Sequence, residues 1–244
     1  MPAYDFALKY IFFWANMLLM TGELGISARR VCGADELRRV YALRYQVYCN
    51  EWGFERPEDH PGGIETDQFD PHSMHFIETF ADDRLIGTVR IILDSPAGFP
   101  IESHCKLDID LKNFDRRRMG EISRLAISKE VRRRSEDSII YESVPGSMTL
   151  EQTAGDRRRR QLFIMNLYKC IYAESKRLGI THWLAVMAKG LHLILKRAGI
   201  VFCPIGAEVY YHGQRTPYIG VISEMEEQVA KTNPEFLREL SEGL

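Results

Sequence analysis

No two of the five cysteines in this 244-residue chain stand in a Cys-x-x-Cys pair; Cys32, Cys49, Cys105, Cys170 and Cys203 are odd in number and widely spaced. That pattern argues against a disulfide framework and against a zinc site, and with no signal-peptide cleavage pattern it fits a reducing cytoplasm. The seven histidines, among them His72, His75 and His104, lack metal-ligand spacing, so no metal is expected. No apolar run approaches the roughly 20 residues that span a bilayer. The strongest one, Tyr10 to Met20, is about half that length and contains Asn16, so it reads as a helix packed on the domain or, alternatively, as a peripheral membrane contact made by residues 6–20. There is also no excess of charge: the formal net charge of −2 excludes a general nucleic-acid binder.

What is present is charge in places where charge is costly. Three arginines and several carboxylates between Tyr41 and Leu125 sit inside otherwise apolar elements. Such groups resist burial unless they are paired, so their recurrence marks a site or a structural ion-pair network. The anchors are Arg44 in YALRYQVYCNEWGF, Asp67 and Asp70 in ETDQFD, Arg90 in GTVRIIL, and Glu121 with Arg124 in EISRLAIS.

With 45% hydrophobic residues the chain can bury a full core, and one catalytic domain is the simplest division. Residues 1–33 hold the apolar helix and a first strand. In the main domain, 34–222, Asp35 can cap a helix whose apolar face carries Leu37, Val40, Tyr41 and Val47, with Arg44 on that same face. A Gly-, Pro- and acid-rich loop from Glu51 to Pro71 leads to a β-hairpin, Met74–Phe80 and Leu85–Leu93, turning at Ala81 to Arg84. Period two places Arg90 with Ile86, Thr88 and Ile92. An apolar strand at 121–127 follows, then a polar, arginine-flanked stretch over 128–160 with no clear periodicity, read as a mobile insertion. Beyond it come a long helix ending near Gly179, a buried strand (HWLAVMA), a second helix (LHLILKRAG) and short strands near Phe202, Val209 and Tyr218 to Ile222. Residues 223–244 read as a helical tail that Pro234 can interrupt. The fold class is α/β (α+β), a mixed central sheet flanked by helices.

The pieces LRYQVYCNEWGF, ETDQFD, GTVRIIL and EISRLAIS resemble the autoinducer synthases that make acyl-homoserine lactones. They resemble more closely the related bacterial N-acyl amino acid synthases, including the exosortase-associated acyltransferases. GITHWLAVMAKGLHLILKRAGI and YYHGQRTPYIGV look like the N-acyl amino acid branch in particular. The resemblance runs from about residue 36 to 222 and implies the GNAT acyltransferase fold, with a splayed or bulged strand near 121–127. A bulge is also what geometry requires if Glu121 and Arg124 act together, because residues three apart on a regular strand point to opposite faces.

The resemblance further implies an N-acyltransferase that moves a medium- or long-chain fatty acyl group from an acyl carrier protein thioester to the α-amine of an amino acid. The alternative is an acyl-homoserine-lactone synthase using S-adenosylmethionine. The charged cluster carries over position by position: Arg44, Asp67, Asp70, Arg90, Glu121 and Arg124, with Trp52 at the matching aromatic position. An amine attacking a thioester must lose a proton, which Glu121 can accept. A guanidinium fork, Arg90 or Arg124, matches the acceptor's carboxylate. A backbone N–H near Leu125 to Ile127 would serve the developing oxyanion. Trp183 and Met187 are candidates for an apolar acyl tunnel or for plain core packing. Direct attack needs no cysteine nucleophile.

Acetyl-CoA-dependent members of that fold follow this strand with a glycine-rich turn that binds pyrophosphate through backbone N–H groups. Here the stretch reads SKEVRRRSEDSII, without those glycines. The expected donor is therefore an acyl carrier protein bearing the acyl group on 4'-phosphopantetheine, with no bound cofactor. The expected contacts for its acidic surface are Arg132, Arg133 and Arg134 and Arg157, Arg158, Arg159 and Arg160.

Overall fold

A computed structural model describes residues 25–129, 131 and 153–241. The apolar segment within 1–24, arginines 132–134 and the last three residues lie outside the described residues.

Among the described residues, eight strands form one sheet in the order β1-β2-β3-β4-β5-β8-β6, with β7 paired to β8. They are β1 (Ser27–Arg30), β2 (Ser73–Thr79), β3 (Leu85–Leu93), β4 (Met119–Ile127), β5 (His182–Met187), β6 (Cys203–Pro204), β7 (Val209–Tyr210) and β8 (Gln214–Val221). All pairings are antiparallel except β4 with β5. The helices are α1 (Ala34–Tyr45), α2 (Pro100–His104), α3 (Thr153–Leu178), α4 (Lys189–Arg197), α5 (Ile222–Thr232) and α6 (Pro234–Leu240). This is the mixed, helix-flanked sheet expected from the sequence.

Strand alternation sorts the two faces. On β2 and β3, His75 and Arg90 are directly opposite each other and face α1, where the Tyr41 ring meets His75 edge-on. Phe76 pairs with Val89, and the neighbouring Glu78 faces α3, where Asn166 donates to it at 2.8 Å. The apolar core fills the α3 side, with Leu162, Ile164, Leu167 and Ile171 fully buried.

Two local expectations need correction. Gly33 is the cap residue of α1, with φ +102°, a left-handed value that glycine tolerates, so Asp35 lies inside the first turn, where its charge favours the helix dipole. The helix runs on past Tyr45, as its apolar face through Val47 suggested, but as a π-helical turn, Gln46–Glu51, which buries Val47, Tyr48 and Cys49 in succession. Finally, the arginine-rich end of the predicted insertion is helical: α3 begins at Thr153, so Arg157 to Arg160 form its early turns. Arginine is a good helix former, and apolar periodicity reports only where a helix is buried. At the C-terminus, α5 and α6 meet at Asn233, whose side chain accepts from Phe236 N–H at 3.1 Å, with Pro234 opening the second helix.

Two departures from regularity create the site. Pairing of β4 with β5 runs only from Met119–His182 to Ile122–Ala185; beyond it β4 continues against β3 and β5 continues against β8. The sheet therefore splits along the parallel pair. At the same level β4 bulges: Thr88 lies opposite Ala126 and Arg90 opposite Ser123, so β4 spends an extra residue where β3 spends none. Arg124 takes up the bulge with φ +50°, a conformation uncommon for a residue with a side chain.

Candidate active site

A cavity opens where β4 and β5 part. Its polar arm is lined by Arg90, Pro100, Glu121, Arg124, Tyr211 and His212, among others. Its apolar arm is lined by Leu125, Tyr168, Ala185, Met187, Ala188 and Leu191. Tyr48, Ile122, Ser123, Arg124, Val186 and Arg215 border both, so the two arms are one groove. The apolar arm encloses about 460 Å³, open solvent at its mouth included.

Glu121 is the carboxyl of the polar arm. It is 2% exposed, and its Oε2 accepts from Ile101 N–H on α2 at 2.9 Å, which fixes its orientation. Burial pushes its pKa up to about 8, against the lowering effects of the Ile101 hydrogen bond and the Arg90 and Arg124 charges. A carboxyl held that close to neutrality can take up and release a proton at physiological pH.

Beside it lies a buried ion network. Arg44 Nη1 and Nη2 grip Asp70 at 2.6 and 3.2 Å, while its Nε bonds Glu65. Arg90 donates from Nη1 to both Asp67 and Asp70 at 2.6 Å, from Nη2 to Asp67 at 2.7 Å and from Nε to Ser123 Oγ at 3.0 Å. Arg124 reaches Glu55 at 2.8 Å, Glu65 at 3.0 Å and Asp67 at 3.3 Å. Burial alone would raise Asp67 and Glu65. The Arg90 hydrogen bond holds Asp67 well below the usual carboxylate range, and the Arg124 and Arg44 charges lower Glu65. Both acids are ionised, and the arginines are matched to them across a helix, a loop and two strands.

Arg44, Asp67, Asp70, Arg90, Arg124 and Glu121 thus converge, as the sequence pattern suggested. Asp67 and Asp70 stand behind the cavity as counter-ions of Arg44 and Arg90, while Arg90 and Arg124 reach the cavity wall with their forks already engaged by carboxylates. Met187 is in the apolar wall. Trp183 sits in the core between Tyr168 and Phe202, donating Nε1–H to Ser175 Oγ at 2.9 Å. Trp52 stacks on Phe54 at 6.0 Å. Burial pushes the Cys49 and Cys105 thiols up to about 11, which leaves them protonated and poor nucleophiles.

Several site residues escaped the sequence reading. Glu65 opens the very ETDQFD motif whose two aspartates were singled out, and the period of the motif could have flagged it. Glu55, Tyr211 and His212 carried no such signal. The β7–β8 turn brings the last two in: His212, at φ +53°, pairs with Glu55 at 3.1 Å and stacks on Phe54, and Tyr211 stacks on His104 of α2 at 4.0 Å. Burial raises the Tyr211 phenol and lowers the His212 imidazole, so both are neutral in the folded protein.

Residues 43–142 match the family model described as Acetyltransferase (GNAT) domain, a span that contains the ion network and both irregularities of β4. The chain has the mixed, helix-flanked sheet of a GNAT-like fold. Its fold is shared with TofI, solved in a ternary complex with an inhibitor and MTA (14% identity, 85% of this chain and 95% of that one, TM-score 0.58). It is shared also with the AHL synthase LasI (16%, 86% and 94%, TM-score 0.53) and with FeeM, an N-acyl amino acid synthase from uncultured soil microbes (16%, 83% and 94%, TM-score 0.50). A search of curated protein sequences gave no significant match.

Proposed function

We propose that this chain is an N-acyltransferase that transfers a medium- or long-chain fatty acyl group from an acyl carrier protein thioester to the α-amine of an amino acid. The observation that carries this reading is the placement of Glu121, a buried carboxyl pushed up to about 8, in the polar arm next to Ile122, which borders both arms. The fatty chain lies in the apolar arm against Leu125, Tyr168, Met187 and Leu191. The acceptor lies in the polar arm, its carboxylate toward the cationic edge formed by Arg90, Arg124 and Arg215.

The chemistry follows from that arrangement. Glu121 in its ionised form takes the proton from the acceptor's ammonium, and the freed amine attacks the thioester carbon. A backbone N–H near Leu125 to Ile127, where β4 no longer runs beside β5, serves the oxyanion. The C–N bond forms, the nitrogen gives up its second proton as the C–S bond breaks, the leaving thiolate takes up that proton, and Glu121 returns the first to solvent. The ion network keeps the bulge, and with it Arg124, in place. Absence of the glycine turn after β4 supports a carrier-protein thioester over a CoA thioester.

The test is incubation of the purified chain with decanoyl-ACP and the twenty amino acids, with mass spectrometry of the products. N-decanoyl amino acids support the reading. Product only with S-adenosylmethionine, with release of methylthioadenosine, would instead establish the homoserine-lactone chemistry named for the similar fold of LasI.

A further inference from the structure

Three described residues other than glycine have φ in the left-handed region, Asp83, Arg124 and His212, and the last two border the same cavity. Asp83 belongs to the β2–β3 hairpin turn, where such a value is ordinary. His212 takes φ +53° in the β7–β8 turn beside Gly213 at +92°, and the turn sets it in the wall of the polar arm, which Glu121 and Arg124 also line. Backbone strain of this kind gathers where a side chain must be aimed.

The imidazole is fixed from several sides. It stacks on Tyr211 at 4.4 Å and on Phe54 at 5.6 Å, and Tyr48 meets it edge-on at 5.8 Å. Glu55 Oε1 lies 3.1 Å from its Nε2 and holds Arg124 Nη2 through the same oxygen at 2.8 Å. The His212 hydrogen bond lowers the pKa of Glu55, with the Arg124 charge acting in the same direction, so Glu55 is an anion. An anion can only accept, which places the hydrogen of a neutral imidazole on Nε2 and the lone pair on Nδ1. Burial lowers the His212 pKa against the pull of Glu55, with the Arg124 and Arg215 charges on the side of burial, so the neutral ring is the resting form. Among the described residues Nδ1 has no hydrogen-bond partner. A pin between the β7–β8 turn and the loop after the π-helical turn would account for the stacking and for Nε2, but not for a basic nitrogen left open on a residue that lines the groove.

We propose that His212 is a second proton carrier of this site, taking through Nδ1 the second proton of the attacking nitrogen and passing it to the departing sulfur, with Glu55 as counter-ion of the imidazolium. The step rests on the proposed function and deepens it. Once the amine has added to the thioester carbon, its nitrogen holds two hydrogens and a positive charge. Nδ1 takes one of those protons, the C–S bond breaks as the carbonyl re-forms, and the imidazolium gives the proton to the thiolate, which restores the neutral ring. Glu121 cannot serve here because it already holds the proton taken from the ammonium. An alkyl thiolate leaves poorly and gains from the transfer, whereas an aryl thiolate, the weaker base, departs without it.

His212→Asn removes the imidazole and keeps a residue that tolerates positive φ, with folding checked by thermal melting. His212→Gln is the second variant, and it carries the decision if the first does not fold. Each is compared with the parent chain on S-decanoyl-pantetheine and on S-phenyl thiodecanoate, with an equimolar mixture of the twenty amino acids. N-decanoyl products are followed by mass spectrometry after subtraction of the uncatalysed rate. With decanoyl-pantetheine kcat is expected to fall by roughly 10²-fold or more, and with the phenyl thioester the loss is expected to be smaller by about tenfold or more. Equal losses with the two donors, or no loss with decanoyl-pantetheine, overturn the inference while leaving the acyltransfer reading in place. Absence of N-decanoyl product from the parent chain with either donor overturns the proposed function and this step with it.

Discussion

Glu121 and Arg124 lie three residues apart on one strand and yet border the same cavity, because Arg124 occupies a bulge with φ +50°. A regular strand would turn one of them away. The distortion is held by Glu55, Glu65 and Asp67, which fasten the Arg124 guanidinium from the loop side.

Glu121→Gln should abolish proton acceptance without removing the hydrogen-bond partner of Ile101. We expect kcat to fall by roughly 10²–10⁴ with the fold intact. In the parent chain kcat should climb with pH as Glu121 ionises, reach half its plateau near pH 8, the value to which burial pushes it, and level off above that. A variant that retains that pH profile would remove Glu121 from the proton-transfer role.

Glu78 makes a stability prediction of definite sign. Burial raises its pKa well above the ordinary value, with only Asn166 opposing, and its Oε2 has no hydrogen-bond partner. The folded state thus holds a proton that the unfolded state releases once pH passes the usual carboxylate range, so stability falls as pH rises through that window. Glu121 acts in the same direction between about pH 4.5 and 8. Glu78→Gln should therefore raise Tm at pH 8 more than at pH 5, as melting curves at the two values would show.

Arg44 is fully buried between Glu65 and Asp70. Arg44→Met removes one of the two guanidinium partners of each acid, leaving Asp70 to Arg90 and Glu65 to Arg124, and should cost about 3–5 kcal/mol of stability by urea unfolding. Adding Glu65→Gln should recover part of the loss; additive effects in the double variant would show that the two side chains are not coupled.

In the proposed function, the apolar arm sets the length of acyl chain accepted. Met187→Trp fills it and should shift product toward shorter acyl groups, read by mass spectrometry after competition between octanoyl- and tetradecanoyl-ACP. An unaltered ratio would place the chain elsewhere than beside Met187.

The sequence exposed the charged anchors because burial of charge is expensive: Arg44 on an apolar helix face and Arg90 inside an apolar strand stand out from their neighbours, and the pairings that resolve the expense lie within one motif-rich stretch. Strand and helix order from residue 34 onward was equally readable, since each long element buries one face and shows its period. The π-helical turn after Tyr45 was hidden, as a single extra residue per turn leaves the apolar spacing almost unchanged. The helical state of Arg157 to Arg160 was hidden because their run has no apolar period.

The chain by itself determined which residues carry charge into the interior and which segments form the sheet, because these depend on local periodicity and on the cost of burying ions. Tertiary structure alone decided that β4 and β5 part beyond Ile122 and Ala185, that Glu121 is desolvated enough to titrate near neutrality, and that Tyr211 and His212 line the same cavity. Those properties come from contacts between segments distant in sequence, and no local pattern records them.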